Sequence, residues 1–64
     1  MIGFKTEHSV YYVDTINHLI TGGIFKDKHC IYVKLSAIIG ERGIICLDNG
    51  KIINTGVIKE YITI

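Results

Sequence analysis

Proline is absent from this chain of 64 residues, so no segment is barred from a sheet interior for want of a backbone donor. Helix formers are scarce: one alanine, one methionine and no glutamine. Long helices are therefore not expected. Cysteine is limited to Cys30 and Cys46, and neither stands in a CxxC or other zinc spacing. They are read as two free, buried thiols in a reducing compartment, with a single disulfide between them as the alternative. Charge of one sign is not in surplus. Six lysines and one arginine face six acids, for a formal charge of +1, where a nucleic-acid binder usually carries a basic stripe. No basic segment followed by an apolar run opens the chain, so no signal peptide is expected. No apolar run approaches the ~18 residues of a membrane span. Cytosol is the expected compartment. Met1 opens directly into an expected strand and the chain closes in another, as expected of a whole gene product with no tail.

What is present is strand-forming bulk. Fourteen isoleucines, four valines, five threonines, four tyrosines and two phenylalanines make 29 residues of strong strand preference. Seven glycines are available for turns. The isoleucine, lysine and asparagine bias points to an AT-rich genome, which concerns origin and not mechanism. A chain of this length is one domain at most, and it buries only about 60% of its unfolded surface.

Along the chain, Ile2–Thr6 reads as a first strand, joined through Glu7-His8 to Ser9–Val13. Asp14 to Asn17 is a turn, since Asp and Asn side chains bond back to nearby amides. His18–Thr21 is a third strand, ended by Gly22-Gly23. Ile24 to Lys28 is irregular and basic. His29–Leu35 has the best alternation, with Ile31, Val33 and Leu35 on one face and Cys30, Tyr32 and Lys34 on the other. Ser36–Ile39 is ambiguous and fits one helical turn or a 3₁₀ turn, and Gly40 to Gly43 is a turn with a charged tip. Ile44–Leu47 and Lys51–Thr55 flank Asp48-Asn49-Gly50, where Asn-Gly favours a type I′ hairpin. Gly56 breaks or bulges the chain, and Val57–Ile64 is the last strand. Seven short strands with short turns give an all-β fold, a small, mostly antiparallel barrel or sandwich. Val13-Asp14…Thr21-Gly22 aligns with Leu47-Asp48…Thr55-Gly56, so these are either two quasi-equivalent hairpins or a chance echo.

The three histidines, His8, His18 and His29, have no metal-motif spacing and are read as solvated. His29 adjoins Cys30, but strand neighbours point to opposite faces, so the two do not form a nucleophile and base. Nothing resembles a nucleophile elbow, a P-loop or a paired-carboxylate site. A binding protein without cofactor or metal is expected, not an enzyme. Tyrosine beside lysine is more suggestive. Tyr32 with Lys34, and Tyr61 with Lys59, would share a face and offer a stacking platform with a phosphate partner, or an interface anchor. Several strands look apolar on both faces: Tyr11-Tyr12-Val13, Ile38-Ile39, Ile44-Ile45 and Ile52-Ile53. One small barrel has one interior, so a homodimer or higher oligomer, or another partner, is expected to cover the second surface.

The run from Phe4 through Thr6, Ser9, Tyr11 and Val13 to Asp14 follows the pattern F-x-T-x-x-S-x-Y-x-V-D, and Thr55-Gly56-Val57-Ile58 follows T-[SG]-x-[VI]. The chain resembles small phage- and prophage-encoded β proteins that open and close in this way. The resemblance spans both ends and nothing from Thr15 to Asn54. It implies an all-β fold and a phage setting, and it carries no catalytic residues. By analogy with compact phage proteins it implies an inhibitor of a host defence factor. Such a protein would act by blocking a host protein or by sequestering a signalling nucleotide between subunits. Tyr11, His18, Lys26, Lys28, His29 and Arg42 are the candidate ligand contacts. The alternatives are an SH3- or OB-like nucleic-acid module using Tyr32, Lys34 and Lys59, and a structural or assembly component.

Overall fold

A computed structural model describes residues 2–63. Met1 and Ile64, expected to open the first strand and close the last, lie outside the described residues. The strands are β1 (Ile2–Lys5), β2 (Val10–Asp14), β3 (Leu19–Gly22), β4 (Cys30–Ser36), β5 (Arg42–Leu47), β6 (Ile52–Val57) and β7 (Glu60–Thr63), with a 3₁₀ turn at Gly23–Phe25. They form one antiparallel sheet in the order β6-β5-β4-β3-β2-β1-β7. The all-β, antiparallel architecture read from the composition is the one adopted. Among the described residues no helix is long and apolar enough to cross a membrane.

The order explains the shape. β6 and β7 stand at opposite ends of it, yet only Ile58 and Lys59 separate them. Three peptide steps span at most about 11 Å, so the sheet must curl until its two ends approach each other. The two ends do not pair, and the roll stays open along a seam. Ile58 sits at the seam. Its N–H donates to the Glu41 carbonyl and its own carbonyl accepts from the Gly40 N–H, both at 2.9 Å. The Lys59 N–H then donates to the Lys5 carbonyl at 2.7 Å. Because the Ile58 side chain is fully buried, the chain turns there. β6 bulges at Thr55-Gly56, where two residues oppose Gly43, one of the two outcomes expected at Gly56, and the single strand expected over Val57–Ile64 is interrupted at Ile58-Lys59.

Inside the roll, Phe4, Tyr11, Val13, Ile20, Phe25, Ile45, Leu47 and Ile58 form the core. Tyr11 is the central member, stacked on Phe4 with ring centres 5.0 Å apart and edge-on to Phe25 at 6.2 Å.

Three local readings are corrected. In β4 a bulge between Tyr32 and Lys34 shifts the register. Cys30 and Tyr32 pack on the core, Ile31 and Val33 face solvent, and after the extra residue Leu35 turns back inward. An inserted residue reverses the side-chain alternation beyond it, so Leu35 does not share a face with Ile31 and Val33. Tyr32 likewise does not share one with Lys34. The loop at Asp48-Asn49-Gly50 is not type I′, because Gly50 has φ 89° while Asn49 is not among the positive-φ residues. The Gly50 N–H donates to Leu47 O at 3.1 Å and the Leu47 N–H to Lys51 O at 2.8 Å. That is a three-residue hairpin, a type I turn followed by a left-handed glycine in a bulge. Finally, Arg42 and Gly43 belong to β5, and Ser36–Ile39 leaves β4 extended to make a bridge from Ile39 to Ile58 instead of a helical turn. Gly43 is required by close approach: a Cβ there would stand 2.7 Å from the buried Thr55 Oγ1, which accepts the Gly43 N–H at 2.9 Å. The two segments of the echo do form hairpins, β2–β3 and β5–β6, but their loops differ in length and bonding.

The β2–β3 loop is organised by Asp14. Its Oδ1 accepts the N–H groups of Ile16 at 3.0 Å and Asn17 at 3.1 Å, and its Oδ2 accepts the Asn17 Nδ2 at 2.9 Å. The Asn17 side chain, then its backbone N–H, holds the Asp14 carboxyl below its ordinary value. A folded pKa below the unfolded one means that ionised Asp14 stabilises the fold above the unfolded pKa. That contribution is lost as pH falls through the folded value. The melting temperature of Asp14→Ala should therefore lie below that of the wild type at neutral pH. The gap should close on acidification below the ordinary 3.8; a gap independent of pH would remove the carboxylate from this role.

Candidate seam cleft

Where the curled sheet fails to close, the open edge of β6 faces the β1–β2 hairpin across a cleft of about 390 Å³. The hairpin wall is Thr6 to Ser9, a tight turn closed by Thr6 N–H to Ser9 O at 2.9 Å and Ser9 N–H to Thr6 Oγ1 at 3.2 Å. Asn54, Thr55, Gly56 and Val57 of β6 form the opposite wall, Ile24 closes one side, and Arg42 and Lys59 reach in from β5 and the seam. Tyr11 lies at the bottom. Its residue is only 2% exposed, and its hydroxyl makes no hydrogen bond to the protein among the described residues. No buried side-chain oxygen or nitrogen there is left without a partner, so that hydroxyl is reached by solvent from the cleft.

The charge in the cleft is basic. Arg42 and Lys59 stand against one acid, Glu7, with the His8 imidazole beside them. Among the described residues the ion pair is Lys5 with Glu60 at 3.5 Å, which leaves Arg42 and Lys59 without a carboxylate. Unpaired cations beside a half-enclosed wall with hydroxyl, amide and open backbone donors are chemistry for an anion. The volume is in the range of small-ligand sites.

Of the six candidate contacts, the fold brings Tyr11 and Arg42 together here. The other four lie elsewhere. Lys26 and His29 border a shallow depression with Tyr12, Thr21, Gly22 and Asp27. Lys26 there also has a backbone duty: with φ 54° it turns its carbonyl to accept the Gly22 N–H and the Thr21 hydroxyl, each at 3.0 Å. His18, at φ 56°, ends the Asp14 loop with its ring 5.6 Å from that of Tyr32. Lys28 is exposed and lines none of these surfaces. The three histidines are therefore dispersed, and no cluster of metal-ligating side chains forms among the described residues. The alternative platform is also taken apart. Tyr32 packs on the core, Lys34 lies outside it past the bulge, and Lys59 lines the cleft. Tyr61 instead spans the far side, its hydroxyl donating to Ala37 O at 2.6 Å over an apolar groove with Ile2, Phe4 and Leu35. Cys30 and Cys46 are both free. His8 and Asn54 enter the cleft without any sequence signal, since it is built where segments distant in sequence meet. No protein-family model, curated protein or solved structure matches this chain.

Proposed function

We propose that this domain is a small binding protein that captures an anionic, nucleotide-class ligand in the seam cleft. In the phage setting implied by the opening motif, it would withdraw that ligand from a host defence factor in the cytosol. One observation supports the ligand class above the others. Arg42 and Lys59, neither paired with a carboxylate among the described residues, line the same cleft as His8 and the otherwise buried Tyr11. Guanidinium and ammonium groups hold phosphate, and the Thr6 and Ser9 hydroxyls and the Asn54 amide add neutral partners. The net charge of +1 favours a compact ligand over the backbone of a long nucleic acid.

The test is a thermal-shift panel of linear, cyclic and ADP-ribose-type nucleotides. A ligand present at about 100 times its Kd stabilises the folded state by about 2.7 kcal/mol. For a domain of this size that is a rise of roughly 10–20 °C. Arg42→Ala and Lys59→Ala should each weaken the responding ligand by about tenfold or more, the scale of a lost charge-assisted hydrogen bond. A panel without response at millimolar nucleotide would sink the reading.

A further inference from the structure

β6 carries an open edge, and its geometry restricts what can pair with it. The Leu47 N–H bonds to Lys51 O, and Ile45 pairs with Ile53 while Ile44 and Cys46 pair with Asn54 and Ile52. In an antiparallel ladder, bonded and non-bonded pairs alternate. Ile53 therefore turns its backbone toward β5, and Ile52 and Asn54 turn theirs away. Those outward groups meet no strand. β6 is the end of the sheet order, and the β1–β2 hairpin faces Asn54–Val57 across the cleft, coming near at Gly56, where a Cβ would lie 3.5 Å from Thr6 Cβ. Ile52–Val57 contains no charge and no proline, the usual protections of an exposed edge. Ile52 is 64% exposed.

β7, the other end of the sheet order, carries a charge, Glu60, which pairs with Lys5 at 3.5 Å, and its Tyr61 hydroxyl is tied to Ala37 O. The β6 edge has no such protection. It can pair with the same edge of a second copy, and the two-fold axis closes that contact.

We infer that two copies of this chain pair β6 with β6 about a two-fold axis at Ile53. This register sets Ile52 opposite Asn54 of the partner and Asn54 opposite Ile52 of the partner. The outward N–H and C=O groups of both residues are then satisfied in four hydrogen bonds. Ile53 meets Ile53 of the partner at the close, non-bonded position, where apolar side chains pack best. Lys51 falls opposite Thr55 of the partner, so no like charges face each other. Gly50, where the partner chain turns away into its hairpin, falls opposite Gly56, where Thr6 ends the open stretch. The length of the open edge and the length of the paired segment therefore match. Thr55 lines the cleft, so the same register brings Lys51 of the partner to its rim. The pairing is argued from the β6 backbone and not from the anion reading, although Asn54 also lines the cleft.

The experiment is sedimentation across about 5–500 µM, a range suited to an interface of strand-edge size, with amide hydrogen exchange at both ends of it. The expected result is twice the monomer mass of 7.2 kDa at high concentration. The Ile52 and Asn54 amides should become protected as concentration rises. Asn54→Pro removes only the outward donor, because Asn54 gives its N–H to no strand, and proline is tolerated on such an edge. That variant should stay monomeric and keep its fold. A monomer at every concentration overturns the inference. So does a dimer in which the two amides exchange freely or that survives Asn54→Pro. Nucleotide binding tests the cleft separately in Ile52→Pro, which removes the other outward donor and lies outside the cleft lining.

Discussion

Tyr11→Ala should lose at least about 12 °C of melting temperature, or fail to fold, while Tyr11→Phe should melt close to the wild type. The ring is held between Phe4 and Phe25 and is 2% exposed. Emptying a buried aromatic site costs about 3–5 kcal/mol in transfer and cavity terms. A domain of this length has a total stability of only about 3–10 kcal/mol, so the loss is comparable to the whole. For small domains each kcal/mol moves the midpoint by about 4–8 °C. The hydroxyl is another matter. Water in the cleft already reaches it, so its removal leaves no buried acceptor or donor stranded and costs under about 1 kcal/mol. Tyr11→Phe should keep the fold and weaken the proposed nucleotide binding by no more than about tenfold, the scale of one neutral hydrogen bond, whereas Tyr11→Ala should lose the fold. Thermal circular dichroism of both variants reads the fold. If Tyr11→Ala melted within a few degrees of the wild type, the ring would not be the centre of the core.

Much of this fold was legible because strand formation here is a matter of composition. With no proline, one alanine and 29 strand-preferring residues, almost every segment between turn signals became a strand. The Glu7-His8 hairpin and the Asp14–Asn17 turn are local chemistry, and both stand where the residues placed them. What escaped were the one-residue irregularities. Nothing in Tyr32-Val33-Lys34 announces a bulge, yet it reverses Leu35, unseats the Tyr32 platform and leaves Val33 outside. The bulge follows from the need to bury both Tyr32 and Leu35 in one small interior, which is a tertiary demand. The turn at Ile58 has the same origin: a strand that must reach both ends of a rolled sheet bends where its side chain can fill the core.

The cleft was half legible for a related reason. Arg42 and Tyr11 were singled out for their chemistry, but not their meeting, since they come from β5 and β2. His8 had been read as a solvated histidine at a hairpin tip. It is at a tip, and the curl of the sheet aims that tip at β6. Both-faced isoleucine was a sounder guide. Ile31, Val33, Ile44 and Ile52 do remain outside the core on the sheet half that ends in β6, as Ile2, Tyr12 and Tyr61 do on the half that ends in β7. The exposed apolar side chains therefore run across both halves of the sheet.

Gly23→Ala should be among the most damaging exchanges of a glycine in this chain, and it should depend on Tyr11. Gly23 has φ +49°, and a Cβ built there runs into the Tyr11 ring at Cζ and Cε1. The left-handed backbone alone costs a residue with a side chain about 1–2 kcal/mol. Overpacking adds about 1–3 kcal/mol when the neighbour cannot yield. Tyr11 cannot yield, because Phe4 stacks on one face at 5.0 Å and Phe25 abuts it at 6.2 Å. Gly40 supplies the control: its φ is +92° and nothing lies within 4 Å of its Cβ position. Gly40→Ala should therefore show the backbone cost alone, a fall of roughly 4–16 °C at the small-domain scale. Gly23→Ala should exceed it by the clash. In a Tyr11→Leu background, where the ring atoms that meet the Cβ are gone, the excess should shrink to near zero, a coupling of about 1–3 kcal/mol in a double-mutant cycle. Additive effects of the two substitutions would mean that Gly23 is needed for its dihedral angle and not for its contact with the ring.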